Sequence, residues 1–81
     1  MTKIILSKRG AFKSTEERRF DRVSRALGGQ LRGNTYERRS GMSELLFFFG
    51  PRSRADYFES LMRNHFNANH VDGEVSRMEV G

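Results

Sequence analysis

Apolar residues fall along this chain in six short groups, separated by glycine, asparagine, serine and charged residues, and their spacing changes from group to group. Lys3-Ile4-Ile5-Leu6-Ser7 is brief and β-branched, which predicts a strand. Ser14 followed by Glu17 matches a capping box, in which hydroxyl and carboxylate satisfy backbone donors, so a helix is expected to start there. Phe20, Val23 and Leu27 recur on one side of that helix, and Gly28-Gly29 supplies the left-handed residue that ends it. Asn34-Thr35-Tyr36-Glu37-Arg38-Arg39 reads as a second strand. Ser40-Gly41 then turns the chain into a third, Glu44-Leu45-Leu46-Phe47-Phe48-Phe49. After Gly50-Pro51, Ser53 and Asp56 repeat the cap signature ahead of Phe58, Leu61, Met62, His65 and Phe66, which share one face of a second helix. Asn67, Asn69 and Gly73 punctuate its exit, and Glu74-Val75-Ser76-Arg77-Met78-Glu79-Val80 alternates as an edge strand does.

The order β-α-β-β-α-β predicts a single α+β domain over residues 1–81, of the split β-α-β or ferredoxin-like kind. Its four-stranded antiparallel sheet is expected to carry two helices on one face. At 81 residues the chain buries only roughly 60% of its unfolded surface, so the core has to be thin. The third strand has no polar side, because Leu45, Phe47 and Phe49 point one way while Leu46 and Phe48 point the other. Two helices cover only one of those sides. Tyr36, Leu46 and Phe48 are therefore expected to form a second apolar face, suited to stacking bases, to a homodimer or to another protein.

In topology, length and aromatic third strand the chain resembles RNA-recognition domains, with Ile4-Ile5-Leu6 where their second signature falls. Their third-strand signature opens with a basic residue and glycine and alternates aromatics with glycine. Ser43-Glu44-Leu45-Leu46-Phe47-Phe48-Phe49 does neither, so the resemblance stops at the level of pattern.

Charge sharpens the reading. Residues 1–41 hold eleven Lys/Arg against four Asp/Glu and residues 42–81 hold four against six, so the net +5 is +7 in one half and −2 in the other. Clustered cations raise the local potential and speed encounter with phosphates or acidic surfaces. Arginine outnumbers lysine twelve to three, which suits bidentate phosphate contacts, although a GC-rich genome produces the same bias. In the expected fold Lys8, Arg9 and Lys13 from the first loop meet Arg38 and Arg39 from the hairpin at one end, beside the open amides of the Ser14 helix start. Arg18, Arg22 and Arg25 extend this rim as a stripe on the first helix. Asp21 is near enough in that helix for ordinary ion pairs to be the competing account.

The chain lacks the residue patterns of the common catalytic constellations. His65 and His70 lack the partners of a metal site, and His65 is read as a helix-end histidine beside the apolar face. Lys8-Arg9-Gly10-Ala11-Phe12-Lys13 lacks the glycine-rich cradle of acylphosphatases. Ser7 and Lys8 stand where CRISPR-associated ferredoxin-like nucleases need a metal-binding aspartate. No phosphate-loop, nucleophile-elbow or zinc-protease pattern occurs. A protein without enzyme activity, cofactor or metal is expected. With no cysteine and too short an apolar opening for a signal peptide or a membrane span, it is expected in the cytoplasm with no membrane partner. Two partner classes follow from different features. The rim suits a DNA or RNA backbone. The spare aromatic face and the arginines suit a host protein complex, as for a small phage or mobile-element inhibitor of the anti-CRISPR kind. A homodimer through the sheet is a further expectation.

Overall fold

Six elements form where the apolar groups lie: β1 (Thr2–Arg9), α1 (Ser14–Ala26), β2 (Gly29–Glu37), β3 (Met42–Phe49), α2 (Arg52–Ala68) and β4 (Gly73–Glu79). They are seen in a computed structural model that describes residues 1–80. The strands make one sheet in the order β2-β3-β1-β4, and every neighbouring pair is antiparallel. Alternation along the strands decides what goes inside. Thr2, Ile4 and Leu6 of β1 and Ser43, Leu45, Phe47 and Phe49 of β3 are buried on one side, together with Val75 of β4. Both helices lie on that side. Phe20 and Ser24 of α1 and Ala55, Phe58, Met62 and Phe66 of α2 face the sheet, and Phe58 packs between Phe47 and Phe49 with ring centroids 4.9 and 5.1 Å away.

Four local expectations need correction. The helix-1 cap is one residue earlier than the Ser14/Glu17 box: Lys13 is the N-cap, and its N–H donates to Glu16 Oε1 at 2.9 Å. Lys8, 3.1 Å from the same oxygen, draws Glu16 into that position, while Glu17 accepts instead from Asn34 Nδ2 at 2.9 Å. The Ser53/Asp56 cap does not form either. Pro51 is the N-cap of α2 without a side-chain bond, and Asp56 pairs with Arg77 of β4.

The second strand starts at Gly29 rather than Asn34 and ends at Glu37, which leaves Arg38 and Arg39 in the turn. Of the Gly28-Gly29 pair expected to end the helix, Gly28 alone takes the left-handed conformation, and Gly29 already belongs to the strand. Gly29 is needed there because a Cβ on it would collide with the Phe49 ring. A bulge at Arg32 then shifts the register, so that Leu31 pairs with Phe47 but Gly33 pairs with Leu46. Downstream of the bulge Tyr36 pairs with Ser43 and so shares the helix side of the sheet. Leu46 and Phe48 lie on the other side, and the expected trio Tyr36, Leu46 and Phe48 is split between two faces.

Candidate nucleic-acid interface

Hydrogen bonds tie three loops together at the end of the sheet where β1 finishes. Gly10 N–H donates to Gly41 O at 2.7 Å, Arg9 N–H to Asp72 O at 3.0 Å, and Ser43 Oγ to Gly10 O at 2.7 Å. The first loop, the β2–β3 turn and the exit of α2 are thus neighbours. Lys8, Arg9, Lys13, Arg38 and Arg39 are all at this end, in three different environments.

Lys8 is turned inward, its side chain only 16% exposed. Its ammonium group lies 3.1 Å from Glu16 and 4.9 Å from the Phe12 ring centroid. Burial pushes the Glu16 carboxyl up, but the Lys13 N–H bond and the Lys8 and Lys13 charges outweigh it and hold the group below its ordinary value. Arg9 reaches Asp72 at 3.1 Å in a fully solvated pair, of little energetic weight. Lys13, Arg38 and Arg39 are exposed, and among the described residues none has a carboxylate within 4.0 Å. Glu37, Glu44 and Glu74 line a 430 Å³ hollow with Ser7 and Thr35 on the open sheet face at the same end. The rim therefore mixes free cations with acidic neighbours. The amide cluster at the helix start is also narrowed as an anion site, because the Glu16 carboxylate already occupies the Lys13 N–H.

The outer face of α1 is different. Arg18, Arg19 and Arg22 are exposed, and with Thr15 they line one shallow hollow of about 260 Å³. Among the described residues no carboxylate lies within salt-bridge distance of any of the three. Arg25, the expected end of the stripe, is drawn to Asp21 at 3.3 Å. Arg19 was not singled out in the sequence, although at about 100° per residue it falls within roughly 60° of Arg22 around the helix. Its neighbour Phe20 is the core residue of this turn, which hid it.

Two more cations escaped the sequence reading. Arg32 occupies the β2 bulge with its guanidinium 5.6 Å from the Phe48 ring centroid, and Lys3 Nζ is 6.0 Å from the same ring. Arg32 also lines a cleft of about 750 Å³ with Arg25, Gly28, Gln30 and Phe48, at the end of the sheet away from the rim. Nothing in the sequence marks Arg32, because the bulge that frees it arises from pairing with β3.

His65 is half-buried and edge-on to Phe20, with ring centroids 5.2 Å apart, and it contacts Asn69. Among the described residues there is no group of three or more His, Cys, Asp or Glu placed to hold a metal ion, and no helix is long and apolar enough to cross a membrane. Comparison with protein-family models, with curated proteins and with solved structures yields no match.

Proposed function

We propose that this chain is a small non-enzymatic binding protein that engages the phosphates of DNA or RNA. Its contacts are the outer face of α1, Arg18, Arg19 and Arg22, continued at the helix start by Lys13 and the turn residues Arg38 and Arg39. The observation that carries the reading is the shared hollow of three exposed arginines without carboxylate partners. Guanidinium groups left free for bidentate contacts are what a phosphate backbone selects, with little reading of base sequence. Lys8 and Arg9, already paired with Glu16 and Asp72, take a minor part. The strand order β2-β3-β1-β4 supports placing the fold in the split β-α-β, ferredoxin-like class, in which α1 is presented on the outside of the sheet. Labelled duplex and single-stranded oligonucleotides test the reading directly. Binding that weakens linearly in log affinity against log salt is expected, and its absence at low salt disposes of the proposal.

A second reading, docking to a host protein complex as a phage-type inhibitor does, has one observation in its favour. Ile5, Leu46 and Phe48 are half-buried and apolar on the sheet face that no helix covers.

A further inference from the structure

The open face of the sheet is patterned in rows that run across the strands. In the order β2-β3-β1-β4, the first row is Gln30, Phe48, Lys3 and Met78. The second is Gly33, Leu46, Ile5 and Ser76, and the third is Thr35, Glu44, Ser7 and Glu74. Arg32 in the bulge joins the first row by lying over Phe48. Glu37 joins the acidic end, in the hollow it shares with Glu44 and Glu74. One end of the face is thus basic, the middle apolar and the other end acidic. Among the described residues none of Lys3, Arg32, Glu37, Glu44 or Glu74 forms an ion pair within the chain.

We propose that a second copy of this chain covers this face, related by a two-fold axis that lies in the plane between the sheets, perpendicular to the strands, and passes through the Leu46–Ile5 row. Rotation about that axis reverses strand direction and keeps strand order. Leu46 and Ile5 then meet their own counterparts, while the Lys3 and Arg32 row of each protomer lies over the acidic row of the other. Lys3 comes opposite Ser7, between the carboxylates of Glu44 and Glu74. Rows two residues apart are separated by roughly 7 Å and packed sheets by roughly 10 Å, a gap that lysine, arginine and glutamate side chains bridge from both sides. The other two-fold arrangement, with its axis along the strands, reverses strand order and keeps the rows, so the Lys3 and Arg32 row of one copy lies over the same basic row of the other and the Glu44 and Glu74 row over the same acidic row. Like charges disfavour it. Edge-to-edge pairing through β2 is opposed by the Arg32 bulge, a feature that blunts sheet edges. The acidic row argues against nucleic acid on this face.

Four strands about 4.8 Å apart and eight residues long at about 3.3 Å each give a footprint of roughly 500 Å², below the roughly 800 Å² per partner of a standard interface. The dimer is accordingly weak. It is independent of the phosphate-binding proposal, because α1 lies on the opposite side of the sheet and stays uncovered.

Sedimentation velocity of the nuclease-treated full chain at low salt, from about 10 to about 500 µM, brackets so small an interface. The expected result is a mass that rises from monomer to dimer. The doubles Lys3→Glu/Arg32→Glu and Glu44→Lys/Glu74→Lys, with their folds checked by circular dichroism, are each expected to weaken self-association by at least about tenfold. An equimolar mixture of the two doubles restores association, since one then presents an acidic face and the other a basic one. A wild-type chain that stays monomeric throughout overturns the proposal. So does a dimer that either reversal leaves intact, or a mixture that fails to associate.

Discussion

Replacing Arg18, Arg19 and Arg22 together by glutamine isolates the α1 face from the rest of the positive charge. Glutamine and arginine have similar helix propensity, and all three side chains are exposed, so the fold is expected to survive. Each phosphate neutralised contributes a slope of roughly −0.9 in log affinity against log salt for duplex DNA and about −0.7 for single strands. Loss of three contacts therefore flattens the slope by about 2.7 for duplex, or about 2.1 for single strands. If the part of the affinity that remains at 1 M salt is unchanged, the loss at 0.1 M is about ten to the power 2.7, or roughly 500-fold for duplex. Fluorescence anisotropy of a labelled oligonucleotide over a series of salt concentrations measures both quantities. The contrasting variant is Lys8→Gln/Arg9→Gln, whose cations are already matched by Glu16 and Asp72. It is expected to change the slope by less than about 1. A triple variant that binds with the wild-type slope, or a double that loses as much as the triple, refutes the reasoning.

The core, the turns and the acidic groups make further predictions. Phe58→Ala is expected to remove about 3–5 kcal/mol from a domain whose total is about 4–12, so the urea midpoint should fall to a fraction of its starting value; a loss under about 1 kcal/mol contradicts its central place between Phe47 and Phe49. His70 holds a left-handed φ of 51° where α2 ends, with Val71 N–H donating to Phe66 O at 3.0 Å in a Schellman-type closure. His70→Gly should therefore raise stability by up to about 1 kcal/mol, and an unchanged or lower melting temperature would count against it. Gly29→Ala forces a methyl against the Phe49 ring and is expected to cost about 1–3 kcal/mol in thermal or urea unfolding; wild-type stability would mean that the ring moves aside freely. The Glu16 and Glu79 carboxyls are held below their ordinary values, Glu79 through its bond from the Thr2 hydroxyl and its pairing with Arg77. A depressed carboxyl contributes stability above its unfolded value and loses it as pH falls through the folded one. Acid unfolding should therefore steepen below the ordinary carboxylate range, and Glu16→Gln should flatten that dependence in a pH series of urea midpoints.

The order of elements and the core were legible because they follow from local periodicity. The alternation in β3 separates Leu45, Phe47 and Phe49 from Leu46 and Phe48 wherever the strand is placed, and the helical spacing of Phe58, Met62 and Phe66 fixes which side of α2 goes inside. Gly28 is likewise a local matter, since its φ of +81° is one that glycine adopts without strain.

What the sequence by itself determined, then, was the set of elements, the inward faces of β3 and α2 and the excess of cations in the first half. Tertiary structure alone decided which of those cations remain free. Lys8 meets a glutamate eight residues on and Arg9 an aspartate sixty-three residues on, while Asp56 leaves its cap position for an arginine twenty-one residues away. The same holds for the bulge that exposes Arg32 and turns Tyr36 to the helix side, because it arises from pairing with β3 across the hairpin. Helix and strand periodicity is set by side chains a few residues apart, so it fixes where the elements form. Electrostatic pairing depends on distance in space, so the identity of the binding surface appears only once the chain has closed on itself.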